Sequence, residues 1–190
     1  MARNNRRAQN RPLPKRVLIL CEGETEVAYF KSYIVHNNQG RRFKAVRVEV
    51  IKPKKFTPFA LFEEAKKRMN AEKGRKGLPY ESVWIVFDKD QHPDIPKTFK
   101  EAHKADINIA FSVMCFEYWV LLHFEHTARA FQNCAEIVSR IKNKHYPNYQ
   151  KANENFFNKV KDNVASAISR AEKVMQNYQD QLMLAKKNGI

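Results

Sequence analysis

Two short apolar segments, each followed directly by carboxylates, constrain the fold of this chain most strongly. Residues 17–21 are apolar and are followed by Glu22, and residues 82–87 are followed by Asp88 and Asp90. Short apolar runs of this kind are typical of strands that are buried on both faces of a parallel sheet. Because parallel strands end at the same edge, we expect Glu22, Asp88 and Asp90 to lie together at the edge where such sheets bind ligands.

Predicted helices and strands alternate along residues 17–113 and give way to helices afterwards. This alternation is typical of a parallel sheet covered by helices on both faces. We predict an α/β core of about four mainly parallel strands over residues 17–113, with a Rossmann-like arrangement. A helical extension packed on the core is expected over residues 114–190, with helices at about 131–143 and 153–187.

The charge balance favours a polyanionic partner. The 190 residues of the chain are enough for one domain. The chain carries 35 Lys and Arg against 20 Asp and Glu, a net charge of +15. Such an excess attracts nucleic acid, although a generally basic, solvated surface would also explain it. Residues 1–16 contain six basic residues and no acid, which predicts a disordered basic arm that either lies along phosphates or only keeps the protein soluble.

Two internal basic clusters, the first in residues 41–55 and the second in residues 140–161, are further candidates for contact with nucleic acid. Aromatic residues at 146, 149, 156 and 157 are interleaved with the second cluster. Basic groups suit phosphates and aromatic faces suit unpaired bases, whereas packing inside the helical half is the preferred interpretation for Phe156 and Phe157. The residues predicted to bind nucleic acid are Arg41, Arg42, Lys52, Lys54, Lys55, Lys142, Lys144 and Lys151.

The three strand-end carboxylates predict a divalent metal site. Like charges at one sheet edge are costly unless something compensates them, and an oxygen-preferring cation is the simplest compensation. We therefore expect Glu22, Asp88 and Asp90 to bind Mg²⁺ or Mn²⁺ rather than Zn²⁺. The alternative is that these acids are solvated or cap the helices that follow.

Three motifs together resemble the RloB-like family: LCEGETEVAYF at residues 20–30, VFDKDQH at 86–92 and CFEYWVLLHFE at 115–125. The strand ending in Glu-Gly and the strand ending in Asp-x-Asp are also similar to the TOPRIM pattern of topoisomerases, primases and several nucleases. The resemblance covers most of the chain and implies a TOPRIM-like fold. It further implies that Asp88 and Asp90 hold the metal, that Glu22 acts as a general base or second metal contact, and that the protein is associated with restriction-modification or abortive-infection loci.

Other residues with chemical potential have two interpretations each. Glu117 is either a fourth acid or proton-transfer group of the site, or a carboxylate at a helix amino terminus. Cys115 is predicted to be a buried thiol rather than a nucleophile, and His123 and His126 to have packing or surface roles rather than to bind metal. Three widely spaced cysteines without a paired spacing predict neither a disulfide framework nor a zinc site, which fits a reducing cytoplasm. We expect neither a membrane span nor a secretion signal.

The leading hypothesis is a cytoplasmic, Mg²⁺- or Mn²⁺-dependent TOPRIM-like nuclease that acts on DNA or RNA in prokaryotic defence. A protein of the same defence operon is a second candidate partner beside nucleic acid. The alternative is a non-catalytic nucleic-acid-binding accessory or sensor subunit. Nucleotidyl transfer at the same carboxylates is a third possibility. A haloacid-dehalogenase-type phosphatase is disfavoured, because its Asp-x-Asp pair normally closes the first strand and is followed closely by threonine.

Overall fold

The structure is a computed structural model that describes residues 14–39, 46–73 and 78–187. Strands and helices alternate first, and helices follow. The order is β1 (Lys15–Cys21), α1 (Glu24–Gln39), β2 (Val46–Ile51), α2 (Pro58–Lys73), β3 (Ser82–Asp88), α3 (Ile95–Lys104), β4 (Asn108–Ser112), α4 (Glu117–Leu122), α5 (Cys134–Lys144), α6 (Phe157–Val160) and α7 (Val164–Lys187), with a 3-10 turn at Lys161–Asn163 before α7.

The four strands form one parallel sheet with the order β2-β1-β3-β4. Leu20 lies between Ile51 on β2 and Ile85 on β3, so β1 is central. The chain moves to one side of β1 to form β2 and then returns to the other side to form β3. The carboxyl ends of β1 and β3 therefore border the point where the strand order reverses, which is where open α/β sheets bind ligands. The predicted α/β fold with a four-stranded parallel sheet is confirmed.

Alternate residues of the strands are buried on opposite faces of the sheet. Leu18 and Leu20 of β1 pack with Leu61 of α2 and Ala102 of α3 in one apolar cluster. Cys21 instead belongs to a second cluster with Val27 of α1 and Val86 of β3. Burial on both faces explains why the strands read as continuous apolar runs rather than as alternating ones.

The helical half packs against α1. Tyr29 of α1 lies among aromatic rings, with its ring centroid 5.6 Å from that of Phe116 and 5.3 Å from that of Phe157. Tyr149 and Phe156 belong to the same buried cluster. The packing interpretation is thus confirmed for Phe156 and Phe157 and extends to Tyr149, so these three rings do not present faces for bases.

Several element boundaries differ from the prediction, and α5 begins at Cys134 rather than at about 131. β1 begins at Lys15, two residues inside the predicted arm, because Arg16 donates to Glu72 at 2.7 Å and to Glu49 at 2.8 Å. Residues 1–13 of that arm lie outside the described residues. The predicted helix at about 153–187 is divided, since Phe157 and Val160 turn into the core before α7 begins at Val164. Along the described ranges, no helix combines the length and hydrophobicity that crossing a membrane requires.

Candidate metal site

Glu22 and Asp88 lie side by side at the carboxyl edge of the sheet. Glu22 follows β1 directly, and its backbone amide donates to the carbonyl oxygen of Val86 on the neighbouring strand, at 3.0 Å. The Glu22 side chain turns toward the end of β3, where its Oε2 accepts a hydrogen bond from the backbone amide of Asp88 at 3.1 Å. The sheet register thus brings together two acids that are 66 residues apart in the chain.

Asp90 and His92 complete a group of three possible metal ligands with Glu22. Both lie in the turn that follows β3. The Nε2 atom of His92 is 3.0 Å from Oε1 of Glu22, and one ligand atom from each of the three residues lies within 4.8 Å of the other two. Two carboxylates and an imidazole suit a first-row divalent cation such as Mn²⁺. Sequence reasoning assigned no role to His92, although it follows the Asp-x-Asp pair by two positions.

Asp88 lies beside this group rather than in it. Its Oδ2 accepts a hydrogen bond from the backbone amide of Phe116 at 3.2 Å. Burial raises the pKa of Asp88 to about 6; the charges of Glu117 and Glu22 raise it too, against the opposing hydrogen bonds from Ser112 and Phe116. The predicted carboxylates are therefore neighbours, but the three ligand atoms that cluster most closely come from Glu22, Asp90 and His92.

Glu26 is a further carboxylate of this edge, and no functional role was predicted for it from the sequence. It lies in the first turn of α1 and is only 4% exposed. Burial raises its pKa to about 7, and the charges of Asp88, Glu117 and Glu22 add to that effect. A buried acid with three acidic neighbours is the kind of group that a bound cation would stabilise in its charged form. The only sequence signal for a role of Glu26 in the site was its position, four residues after Glu22 and at the start of a helix on the same edge.

Gly23 makes room for the Glu26 carboxyl group. A Cβ atom on residue 23 would overlap Oε2 of Glu26. We predict that Gly23→Ala lowers the free energy of unfolding by about 1–3 kcal/mol, the usual cost of overpacking, in a urea titration. Glu26→Ala removes the obstructing group, so the double variant should lose less than the sum of the two single losses. Additive losses would show that the close approach to Glu26 is not the cause.

Glu117 reaches the same acidic cluster from the helical half. It is the first residue of α4 and only 2% exposed. Its Oε1 is 3.0 Å from the ammonium nitrogen of Lys151, which supplies a compensating charge. The buried hydroxyl of Tyr149 has no hydrogen-bond partner among the described residues. Burial raises the pKa of Tyr149, and the negative charges of Glu117 and Glu26 raise it further. Glu117 therefore starts a helix, as one interpretation predicted, and its charge acts on Asp88 and Glu26; its role as a fourth acid of the site stays a prediction.

A disulfide joins Cys115 to Cys134 next to Glu117. The expectation of three unpaired cysteines, with Cys115 as a buried thiol, was wrong, because α5 begins where the chain returns to the segment between β4 and α4. A separation of 19 residues carries no recognisable signature of that approach. Cys21 remains a free, buried cysteine.

The buried imidazole of His123 confirms its predicted packing role. Its Nε2 is 2.9 Å from the hydroxyl of Tyr29, and its Nδ1 is 2.9 Å from the carbonyl oxygen of Trp119. Burial lowers its pKa to about 4, so the ring is neutral near pH 7. His126 is exposed on the surface.

The predicted basic residues lie in two places. Lys52, Lys54 and Lys55 line a surface cavity of about 500 Å³ after β2, whose carboxyl end lies at the same edge of the parallel sheet as those of β1 and β3. Lys52 also pairs with Glu24 at the start of α1, at 3.0 Å. Lys142, Lys144 and Lys151 lie in the helical half, where Lys142 and Lys151 line a second cavity. Arg41 and Arg42 lie outside the described residues.

The fold and this edge define an α/β protein with an acidic site at the reversal point of a parallel sheet. The family model described as RloB-like protein matches residues 17–187. The chain therefore belongs to the RloB-like family, as its three motifs predicted. No curated protein and no solved structure matched the chain.

Proposed function

We propose that this protein is a divalent-metal-dependent nuclease of the TOPRIM type that acts in prokaryotic defence against phage or foreign DNA. The observation that carries the proposal is the convergence of Glu22, Asp88 and Asp90, with His92, at the reversal point of the sheet. The raised pKa values of Asp88 and Glu26 support it, because both acids are held where an additional positive charge would favour their ionised forms. The association with defence loci comes from the family resemblance.

Mn²⁺ fits the donor set of Glu22, Asp90 and His92, with Asp88 adjacent, and Mg²⁺ would be held by the carboxylates alone. When bound, such an ion polarises a phosphodiester and neutralises the charge that develops during an in-line displacement. The 3.0 Å contact between Nε2 of His92 and Oε1 of Glu22 holds the two side chains together when no ion is bound. With an ion bound, Glu22 would supply one carboxylate oxygen to it and could accept a proton on the other. Lys52, Lys54 and Lys55 would orient the phosphates of the nucleic acid beside the site.

A cleavage assay on plasmid DNA, single-stranded DNA and RNA tests the proposal. We expect cleavage of at least one substrate with Mg²⁺ or Mn²⁺ and none after chelation with EDTA. Labelled nucleotides in the same reactions distinguish hydrolysis from nucleotidyl transfer. Cleavage that persists in EDTA would contradict a metal-dependent mechanism.

A non-catalytic accessory or sensor subunit is the second candidate. It is favoured by the protein partners that the acids already have, namely the Phe116 amide for Asp88 and the Lys151 ammonium for Glu117. A subunit of this kind would bind nucleic acid equally well with and without EDTA, and it would cleave none of the substrates. Metal-dependent cleavage by the purified protein would exclude this candidate as the whole function.

Neutralising the exposed lysines beside the site should weaken nucleic-acid binding under either candidate function. We expect Lys54→Gln with Lys55→Gln to reduce affinity at low salt and to lower the salt dependence of binding by up to about two released counterions. Lys100→Gln with Lys104→Gln is a matched control with the same charge change on α3. Fluorescence anisotropy over a range of salt concentrations measures both quantities, and equal losses from the two pairs would argue against a specific track at Lys54 and Lys55.

A further inference from the structure

The disulfide between Cys115 and Cys134 differs in accessibility at its two ends. Cys115 is 5% exposed and belongs to the aromatic core of the helical half. Cys134 is half-buried and lines a surface cavity of about 490 Å³. A small molecule entering that cavity therefore meets the sulfur of Cys134 first.

The charges that line the cavity favour an anionic small molecule. Its charged lining residues are Lys142 and Lys151, and the ammonium nitrogen of Lys151 is 3.5 Å from the sulfur of Cys134. Lys151 also pairs with Glu117, but its side chain is 55% exposed and still faces solvent. Glu117 lies 3.1 Å from the same sulfur, but its side chain is 3% exposed and paired with Lys151, so the charges that the cavity presents to solvent are those of the two lysines. Such positive charges attract anionic thiols.

We propose that Cys134 is a thiol-exchange site, at which a small anionic thiol opens the disulfide and forms a mixed disulfide. The thiolate of the incoming molecule attacks Sγ of Cys134, the bond to Cys115 breaks, and its electron pair leaves on the sulfur of Cys115, which takes a proton from water. A second thiolate then attacks the mixed disulfide and releases Cys134 as a thiolate. The two thiols are oxidised to one disulfide, and the protein disulfide is reduced to two cysteines.

The position of this bond connects it to the acidic edge of the sheet. Cys115 precedes Phe116, whose amide donates to Asp88, and Cys134 Sγ is 3.1 Å from Oε2 of Glu117. Opening the bond therefore frees the segment that holds this amide against Asp88. The exchange itself does not depend on the proposed nuclease function, so either proposal can fail without the other.

Mass spectrometry of the folded protein tests this proposal. The protein is oxidised with diamide and treated with 2-mercaptoethanesulfonate, and free thiols are then alkylated and the peptides mapped. We expect the adduct on Cys134 and the alkyl group on Cys115. Cys21 is free and fully buried. If Cys21 stays unmodified by a thiol reagent during the reaction, the protein has stayed folded. An adduct mainly on Cys115, reaction only after unfolding, or failure of diamide to form the bond would overturn the proposal.

The second measurement compares the reaction rates of an anionic and a cationic thiol. Mercaptoethanesulfonate should react at least several-fold faster than cysteamine, a cationic thiol of similar size, after correction for the thiolate fraction of each reagent. Lys142→Gln and Lys151→Gln should each reduce the preference for the anionic thiol. Lys144 is on α5 with Lys142 but does not line the cavity, so Lys144→Gln should leave the preference unchanged. No preference between the two thiols would contradict the role assigned to the cavity.

Discussion

Glu22→Gln and Asp88→Asn are each expected to reduce metal-dependent cleavage by about 100-fold or more, the usual loss when a charge-stabilising group is removed from an active site. Both substitutions keep the size of the side chain but remove a negative charge from the carboxyl edge of the sheet. Glu22 contributes a ligand atom to the cluster with Asp90 and His92, and Asp88 borders it. Initial cleavage rates over a range of Mn²⁺ concentrations measure the loss and distinguish weaker metal binding from slower chemistry.

The matched control is Glu81→Gln. Glu81 precedes β3 at the amino edge of the same sheet and pairs with Lys15, so this substitution makes the same charge change far from the site. We expect its cleavage rate to stay within about twofold of the wild-type rate, as for most surface changes away from a site. Activity that survives both Glu22→Gln and Asp88→Asn in folded protein would remove the proposed mechanism.

The metal-free protein should lose stability as the pH rises from about 4 to about 8 through the titration of Glu26 and Asp88. The pKa values of these acids in the folded protein, about 7 and about 6, lie above their ordinary values of 4.5 and 3.8. Both groups therefore keep protons in the folded protein over a range in which the unfolded chain has lost them, and folding becomes less favourable as they ionise. Since one pKa unit is about 1.4 kcal/mol, ionising Glu26 in the folded protein costs roughly 3 kcal/mol.

A divalent cation at the candidate site should reverse this loss, because a positive charge near Glu26 and Asp88 stabilises their ionised forms. We expect millimolar Mn²⁺ to raise the Tm markedly at about pH 8 and little at about pH 5, where protons compete with it. Choline chloride at equal ionic strength controls for screening. Glu26→Gln should raise the metal-free Tm at the higher pH, and the difference from wild type isolates this residue from other titrating groups. An equal increase in Tm with Mn²⁺ at both pH values would show that the ionisation of Glu26 and Asp88 is not coupled to binding of the ion.

The α/β half could be predicted from the sequence because its signals are local. Four apolar strands separated by helix-period segments specify a parallel sheet, and the carboxylates directly after β1 and β3 must then share one edge. The ends of the elements depended on contacts between distant residues. Arg16 extends β1 through its bonds to Glu49 and Glu72, and nothing near Arg16 in the sequence indicates those partners.

The site was only partly predictable for the same reason. Glu22, Asp88 and Asp90 follow strands and were found, whereas Glu26 reads as an ordinary acid in the first turn of a helix. Its burial results from packing of the helical half over α1, which no local pattern encodes. The contact of His92 with Glu22 and the disulfide of Cys115 with Cys134 likewise require the folded chain, because turns and long loops place residues without a periodic signal.

Anomalous scattering from a crystal soaked in millimolar Mn²⁺ would locate the ion itself. We expect one strong peak at the carboxyl edge of the sheet, with Glu22, Asp90 and His92 as ligands. In crystals of Glu22→Gln the peak should weaken or disappear. Well-ordered density for these side chains without an anomalous peak between them would contradict the metal site, and with it the proposed nuclease.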